Sequence, residues 1–515
     1  MDRRNWTLIA VVLGSGIVFL DSTIVNVALK AIGEQLPSSV LGVLEGQSYV
    51  VNGYLLTLAS LLILAGALAD AYGRRRLFII GLAGFGLSSV LCGLAPSMEL
   101  LVVGRLVQGV FGALLVPTSL ALITAAFEGP ARAQAFGIWA AASSAITVLG
   151  PPIGGFLVDT FGWRVAFLIN APLVVIALAI AVNRMSESRN ETASTRFDWL
   201  GAAVVALAVG GLAFGAIRGQ QQSWHDEAAW IALAVGGIAT LLLAPLMALR
   251  RDPLIPPSLF RSRNFTVTNL STFLIYGALY VYSAYQAIFL QGTLQYTALA
   301  AGVASLPISL SLALLSTSVG RFAGTFGTRR LMAIGPALMA LGLLWLARIP
   351  SDSAAWQARP GDLGSLLPPT GYLVDVLPAV LLFGIGISLL VAPLTTTLMG
   401  SVPSANSGLA SAINNAISRI GPLLAGAVIF IGVSASFYGG LQARVPGLDT
   451  SSAAVREAFP PLNAPSQEDG RGVAEAAREA STDAYHLAVL IAALLCAAGG
   501  TANALWIRST GSTAG

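Results

Sequence analysis

Apolar residues in this chain come in blocks of roughly twenty, each long enough to cross about 30 Å of hydrocarbon as an α-helix. Charged or proline-bearing breaks separate them. Fourteen blocks are read this way, at 6–30, 47–69, 77–95, 99–124, 132–157, 164–183, 198–217, 228–249, 265–290, 298–321, 330–348, 373–399, 405–435 and 484–507. Two longer polar stretches, 349–372 and 436–483, read as loops. The second contains the run Val473-Ala-Glu-Ala-Ala-Arg-Glu-Ala480, which suits a short helix leading into the last span.

Composition agrees with membrane embedding. The 515 residues are 56% hydrophobic and 10% charged, with a mean hydropathy of +0.78. Soluble domains carry about 25% charged residues, so this chain lacks the charge to cover a water-facing body. The 55 glycines fit close helix packing in lipid. The start, Met1-Asp2-Arg3-Arg4 and an apolar run, is too long for a cleaved signal and contains Asp21, so it reads as a retained first helix.

The net charge of +4 and pI near 9.2 come from arginines at block ends, Lys30 being the lone lysine. Such placement is a topology signal, and no nucleic-acid partner is implied. One face collects Arg3, Arg4, Arg74, Arg75, Arg76, Arg132, Arg184, Arg189, Arg196, Arg250, Arg251, Arg261, Arg263, Arg321, Arg329, Arg330 and Arg508. The other holds Lys30, Arg164, Arg218, Arg348 and Arg359. The bias places both termini in the cytoplasm, in a multi-pass cell-membrane protein, and both long loops outside. Trp6, Trp163, Trp199 and Trp506 fall at the expected interfaces. Cys92, Cys496, His225 and His486 offer no disulfide pattern or metal spacing, so no cofactor, metal or catalytic residue is expected.

The chain also resembles itself. Gly73-Arg-Arg-Arg-Leu77 follows the second block and Gly327-Thr-Arg-Arg-Leu331 the tenth. Gly150-Pro151 lies in the fifth and Gly421-Pro422 in the thirteenth. Both pairs align if the fold is all-α, with two six-helix halves (1–184 and 264–515) and an inserted helix pair (185–263). Repeated halves around a midplane site characterise secondary transporters.

Asp21 is the one acid well inside a block. Burial disfavours its charged form, so it is a candidate proton carrier; a structural acid bonded to a neighbouring helix is the alternative. Arg105 and Arg419 are the two arginines inside blocks, and a permanent cation there needs a counter-charge or acceptors. Asp21 is the natural partner of Arg105, directly or through Gln108. Asp70 with Gly73, Arg74, Arg75 and Arg76 is either a loop that enforces topology or a latch between helix ends. Gly150, Pro151, Gly154 and Gly155 suit a kinked, closely packed helix, or a seal against proton leak. Tyr276, Tyr280, Tyr282, Tyr285 and Gln286 give the ninth helix aromatic faces with polar tips, suited to amphipathic ligands or to ordinary packing. Asn26, Gln108, Tyr280, Gln286, Asn414 and Arg419 are the candidate cavity residues.

These stretches carry a family resemblance. Gly66-Ala-Leu-Ala-Asp70-Ala-Tyr-Gly73-Arg74-Arg75-Arg76 resembles the signature loop of the major facilitator superfamily. Gly104-Arg105-Leu-Val-Gln108-Gly109 resembles its fourth-helix motif, and Gly150-Pro151-Pro152-Ile-Gly154-Gly155 its fifth-helix antiporter motif. Leu20-Asp21-Ser22-Thr23-Ile-Val-Asn26-Val-Ala28-Leu29 is similar to the first-helix motif of the fourteen-helix drug:proton antiporter branch. Lys30, Ile146 and Gly324 depart from those patterns, the last removing the acid from the second signature loop. The resemblance implies a proton-coupled antiporter exporting amphipathic or monocationic compounds, a multidrug-efflux and antibiotic-resistance type of protein from a bacterium. A dedicated lipid or single-metabolite transporter is the alternative. Its partners would be substrate, protons and membrane lipid, and the working unit a monomer. With one embedded acid, rigid dications are expected to be poor substrates, unless Glu45 or Asp375 reaches the cavity. The chain lacks a nucleotide-binding loop for an ATP-driven pump and a filter-like segment for a channel.

Overall fold

Long apolar runs leave the backbone no partner but itself, and the chain answers with helices. The structure is a computed structural model describing residues 2–37, 43–189, 197–221, 226–359, 362, 364–463 and 471–508. It is 84% helix, without strands among the described residues. The long helices are α1 Arg3–Gln35, α2 Val43–Tyr72, α3 Arg74–Gly93, α4 Met98–Ala126, α5 Gly129–Phe161, α6 Val165–Arg184, α7 Trp199–Gln221, α8 Glu227–Leu249, α9 Arg263–Gly292, α10 Ala298–Phe326, α11 Thr328–Leu346, α12 Tyr372–Gly400, α13 Ser407–Arg444 and α14 Arg471–Trp506. Thirteen helices among the described residues are long and apolar enough to cross a membrane; α5 is outside that set. Ser97, Asp226, Ser262 and Thr297 cap α4, α8, α9 and α10, each side chain accepting a first-turn N–H.

Helices α1 to α4 and α6 pack mainly on one another, as do α9 and α11 to α14, while α5 and α10 pack heavily on each other across the two sets. One large buried cluster is drawn wholly from residues 267–507, and a smaller one wholly from 20–167. A third joins first-half side chains to residues 398–416 around the start of α13. Helices α7 and α8 pair tightly: a Cβ at Gly211 would lie 2.8 Å from the Ala232 carbonyl. The pair leans on α2, and α7 also meets α13. The outer face of α8 is exposed at Ile238, Leu241 and Leu249, as a lipid-facing surface would be.

The halves meet closely at the end of the bundle where the arginines gather. There α2 lies against α13, and a Cβ at Gly408 would be 2.8 Å from the Gly66 carbonyl. On the opposite flank α5 meets α10, where a Cβ at Gly320 would be 2.7 Å from the Ala133 carbonyl. Only residues without side-chain bulk permit such contact.

Two expectations need correction. The stretch 436–483 is not one loop, because α13 runs on to Arg444 and α14 already begins at Arg471. Alanine and charged helix formers draw α14 ahead of its apolar run, whereas α13 is carried on through Phe437, Tyr438 and Leu441. Arg444 then ties them together, bonding Glu479 at 2.9 Å and Asp483 at 2.6 Å. The connection is shorter and carries the helix Ala453–Ala458. Trp163, expected at an interface, is 1% exposed and stacks edge-on with Phe167 in the interior. Arg196 and His225 lie outside the described residues.

Candidate functional site

Asp21 faces inward from α1 and is fully enclosed, at 0% exposure. One carboxylate oxygen accepts from Arg105 Nη1 at 2.6 Å. The other accepts from Gln108 Nε2 at 3.1 Å and Asn170 Nδ2 at 3.0 Å. Arg105 and Gln108 lie one turn apart on α4, so a single helix face presents both. Arg105 Nη1 also donates to Gln108 Oε1 at 2.7 Å, and its Nε to the Val50 carbonyl at 2.9 Å. The Tyr54 ring covers the guanidinium at 4.1 Å. Asn170 follows a break in α6 at Ile169, and its amide also donates to Ser89. The cluster therefore ties α1, α2, α3, α4 and α6 through one carboxylate. Proton uptake there would cancel the charge that holds Arg105. Asp21 and Arg105 meet directly, as the sequence suggested.

Asn170, Ser89, Val50 and Tyr54 were missed. Asn170 alone had a legible signal, as the sole amide in the first turns of an otherwise apolar block.

The second constellation lies at the arginine-rich end. Asp70 accepts from Arg74 Nε at 3.0 Å and Nη2 at 2.8 Å. It also accepts the backbone N–H groups of Gly408 at 3.0 Å and Leu409 at 2.8 Å. It thus caps the N-terminus of α13, where an anion is favoured by the unpaired N–H groups and the helix dipole. Arg74 Nη2 donates in turn to the carbonyls of Ser404 and Ala405. Arg75 caps the other polarity, its Nε donating to the Ala181 carbonyl at 2.9 Å near the end of α6. Arg76 engages through its backbone, its N–H donating to Glu187 while its side chain is exposed. Glu187, absent from the sequence reading, caps α3 by accepting the N–H groups of Arg75 and Arg76, both at 3.0 Å. Gly73 is required there. Its φ is +112°, and a Cβ would press on the Glu187 carboxylate. Gly327, which opens the similar Gly327-Thr-Arg-Arg run, also holds a positive φ of +83° at the start of α11.

The glycines of α5 pack on α1. At Gly150 a Cβ would collide with the Thr23 side chain, and at Gly154 it would sit 3.1 Å from the Ile24 Cα. Gly155 is looser, its nearest neighbour being Val27 at 4.0 Å. The side chain of Pro151 lies outside the described residues. This seam lies within the first half, one and two turns from Asp21. Gly150→Ala is expected to cost about 1–3 kcal/mol of stability, because Thr23 must leave its place. Thermal unfolding in detergent checks this, and an unchanged midpoint contradicts the packing argument.

The remaining candidates separate. Asn26 is exposed and donates to the Ser22 carbonyl. Asn414 is buried and turns to α9, donating to Asn269 at 3.1 Å and Thr272 at 2.8 Å. Gln286 is buried against α14, accepting from the Tyr485 hydroxyl at 3.2 Å, so it belongs to the second-half core rather than a cavity. Tyr282 stacks on Phe383 in the same core. Tyr280 and Tyr276 are half-buried on one face of α9. Arg419 is half-buried on α13, and its Nε has no partner among the described residues. Asp375 accepts from Ser353 at 2.7 Å in the neighbouring loop, and the Glu45 side chain lies outside the described residues.

The family and relatives of this apolar helical bundle make it a multi-pass membrane transporter rather than an enzyme. The chain belongs to the major facilitator superfamily, whose family model matches residues 11–426. It is 35% identical over 445 residues to the multidrug resistance protein Stp of Mycobacterium tuberculosis, covering 85% of this chain and 78% of that protein. It is 33% identical to the methylenomycin A resistance protein of Bacillus subtilis, over 84% of this chain and 89% of that one. With the tetracenomycin C resistance and export protein of Streptomyces glaucescens it shares 32% identity over 83% and 75% of the two chains. Its fold is similar to that of the human organic anion transporter MFSD10, with TM-score 0.59, 16% identity and coverage of 96% and 99%. The proton:xylose symporter XylE gives a TM-score of 0.56 at 16% identity, covering 98% of this chain and 99% of that one.

Proposed function

We propose that the chain is a proton-coupled antiporter that exports amphipathic compounds, antibiotics among them, by alternating access. The observation that carries this reading is the Asp21–Arg105 pair, enclosed from solvent within a half that must move. A carboxylate so enclosed exchanges its proton only when the surrounding helices part, which links protonation to conformation. Protonating Asp21 removes the charge opposite Arg105, loosening the tie between α1 and α4 and its link to α6 through Asn170. Residues 1–184 and 264–515 act as the two rocking halves, with 185–263 as an inserted pair. The arginine-rich end, with both termini, faces the cytoplasm of a bacterial cell. The structure is then closed inside, and the Asp70 latch with the small-residue seams holds it so. One chain supplies every group invoked, so a monomer suffices.

The test is dye accumulation in everted membrane vesicles with an acidified lumen. Wild type should accumulate a lipophilic dye only while the pH gradient stands. Arg105→Lys should accumulate it slower by about one to two orders of magnitude, since an ammonium lacks the planar fork that reaches Val50, Asp21 and Gln108 together. Equal rates for Lys and Arg across pH would show that only charge matters there. Accumulation unaffected by collapsing the gradient would reject proton coupling.

A further inference from the structure

The charge balance around the seam between the halves differs from what the sequence suggested. The expected handling of monocations counted Asp21, though paired with Arg105, as the one negative charge facing the cavity, but that carboxylate is enclosed by Arg105, Gln108 and Asn170. Arg419 has no such partner. Among the described residues no hydrogen bond or ion pair reaches it, and its Nε is buried without an acceptor. A guanidinium keeps its proton, so this charge is permanent.

Its position follows from helix geometry. Gly408, Ala412, Asn415 and Arg419 are spaced four, three and four apart, one stripe along α13. At its lower end the stripe lies on α2, where a Cβ at Gly66 would meet the Ala412 Cβ at 2.5 Å. Arg419 stands roughly 16 Å above Gly408, and Tyr54 roughly 18 Å from Gly66 along the facing helix, so the two reach one level. Tyr54 also lays its ring on the Arg105 guanidinium at 4.1 Å, beside the neutralised Asp21–Arg105 pair. The Tyr54 hydroxyl, beside Gly112 and Ser22, makes no well-formed hydrogen bond among the described residues. Asn414, the neighbour of Asn415 on α13, points to α9, which leaves Arg419 on the side of the seam.

Two unsatisfied donors on facing helices, one permanently cationic, describe a place for an anion. A bare cation inside the bundle is costly, and a planar carboxylate or enolate matches the guanidinium fork while leaving a lone pair for the tyrosine. Tyr276 and Tyr280, half-buried on α9 beside α13, offer aromatic surface for an apolar body. We propose that Arg419 and the Tyr54 hydroxyl form the anion-binding end of the export cavity, so that the transported amphiphiles include those bearing a single carboxylate or enolate.

This rests on the export reading above, and the test keeps the two separate. Purified protein is titrated with a dialkylaminocoumarin carboxylate and with its neutral primary amide, read by fluorescence anisotropy. Wild type should bind the carboxylate more tightly than the amide. In Arg419→Gln that preference, the ratio of the two Kd values, should fall by about ten- to a hundred-fold, as loss of a charged hydrogen bond implies. Arg419→Lys should restore part of the ratio, and Tyr54→Phe should lower it by a smaller factor. A wild-type preference for the amide, or a ratio that Arg419→Gln leaves unchanged, overturns the proposal. Vesicle accumulation of the same two dyes tests export independently, since binding is read without transport.

Discussion

Asp21→Asn is expected to abolish accumulation driven by a pH gradient, bringing it to the level of vesicles without the protein. Asn keeps the size and two of the hydrogen bonds but carries neither charge nor an exchangeable acid proton. Arg105, at 1% exposure, then loses its counter-charge. Removing one partner of a buried pair costs about 3–5 kcal/mol, so the variant should also unfold at lower temperature. Substrate exchange across the membrane with no pH gradient separates the two effects. The account expects exchange to persist at reduced rate in Asp21→Asn while gradient-driven accumulation is absent. Accumulation that still follows the gradient would remove Asp21 from the coupling step.

Asp70→Asn should have the second large effect, and a different one. Asp70 receives two contacts from Arg74 and two from the first turn of α13, so its charge acts across the seam at once. A hydrogen bond to a charged group contributes about 1.5–3 kcal/mol. Weakening two of them shifts the balance between closed and open arrangements by roughly a hundred-fold or more. Turnover should slow, because the closed arrangement is no longer held, while equilibrium substrate binding stays near wild type. Spin labels at the ends of α2 and α13 would report a longer distance in the variant. An unchanged distance distribution, or a binding loss with turnover per bound substrate preserved, contradicts the latch.

Much of this was legible in the chain itself. A bilayer imposes one length scale and one polarity, so apolar blocks of about twenty residues mark the helices. A charge inside such a block must be answered, which is why Asp21 and Arg105 could be paired from sequence. What stayed hidden was three-dimensional in origin. Val50 takes part through a carbonyl and Glu187 through its approach to two backbone N–H groups, neither of which side-chain identity announces. Gln286 and Asn414 are polar residues in apolar helices, as Arg419 is. Only the packing of α9 against α13 and α14 shows that the first two each find a partner in the second-half core, while among the described residues none reaches Arg419. The helix leading into α14 was legible at Val473–Ala480, but the extension of α13 was hidden because Gly439 and Gly440 read as a break until Arg444 is seen bridging to Glu479 and Asp483.

The central claim is that substrate movement and proton movement are one process routed through Asp21. Its most direct test is a proteoliposome carrying a pH-sensitive dye in its lumen and no initial pH difference. An outward substrate gradient is imposed, and lumenal pH is followed with wild type and Asp21→Asn. The account predicts that wild type changes lumenal pH with the time course of substrate movement, and that Asp21→Asn moves substrate without changing it. Substrate movement by wild type at constant lumenal pH, or an undiminished pH change in Asp21→Asn, would contradict it.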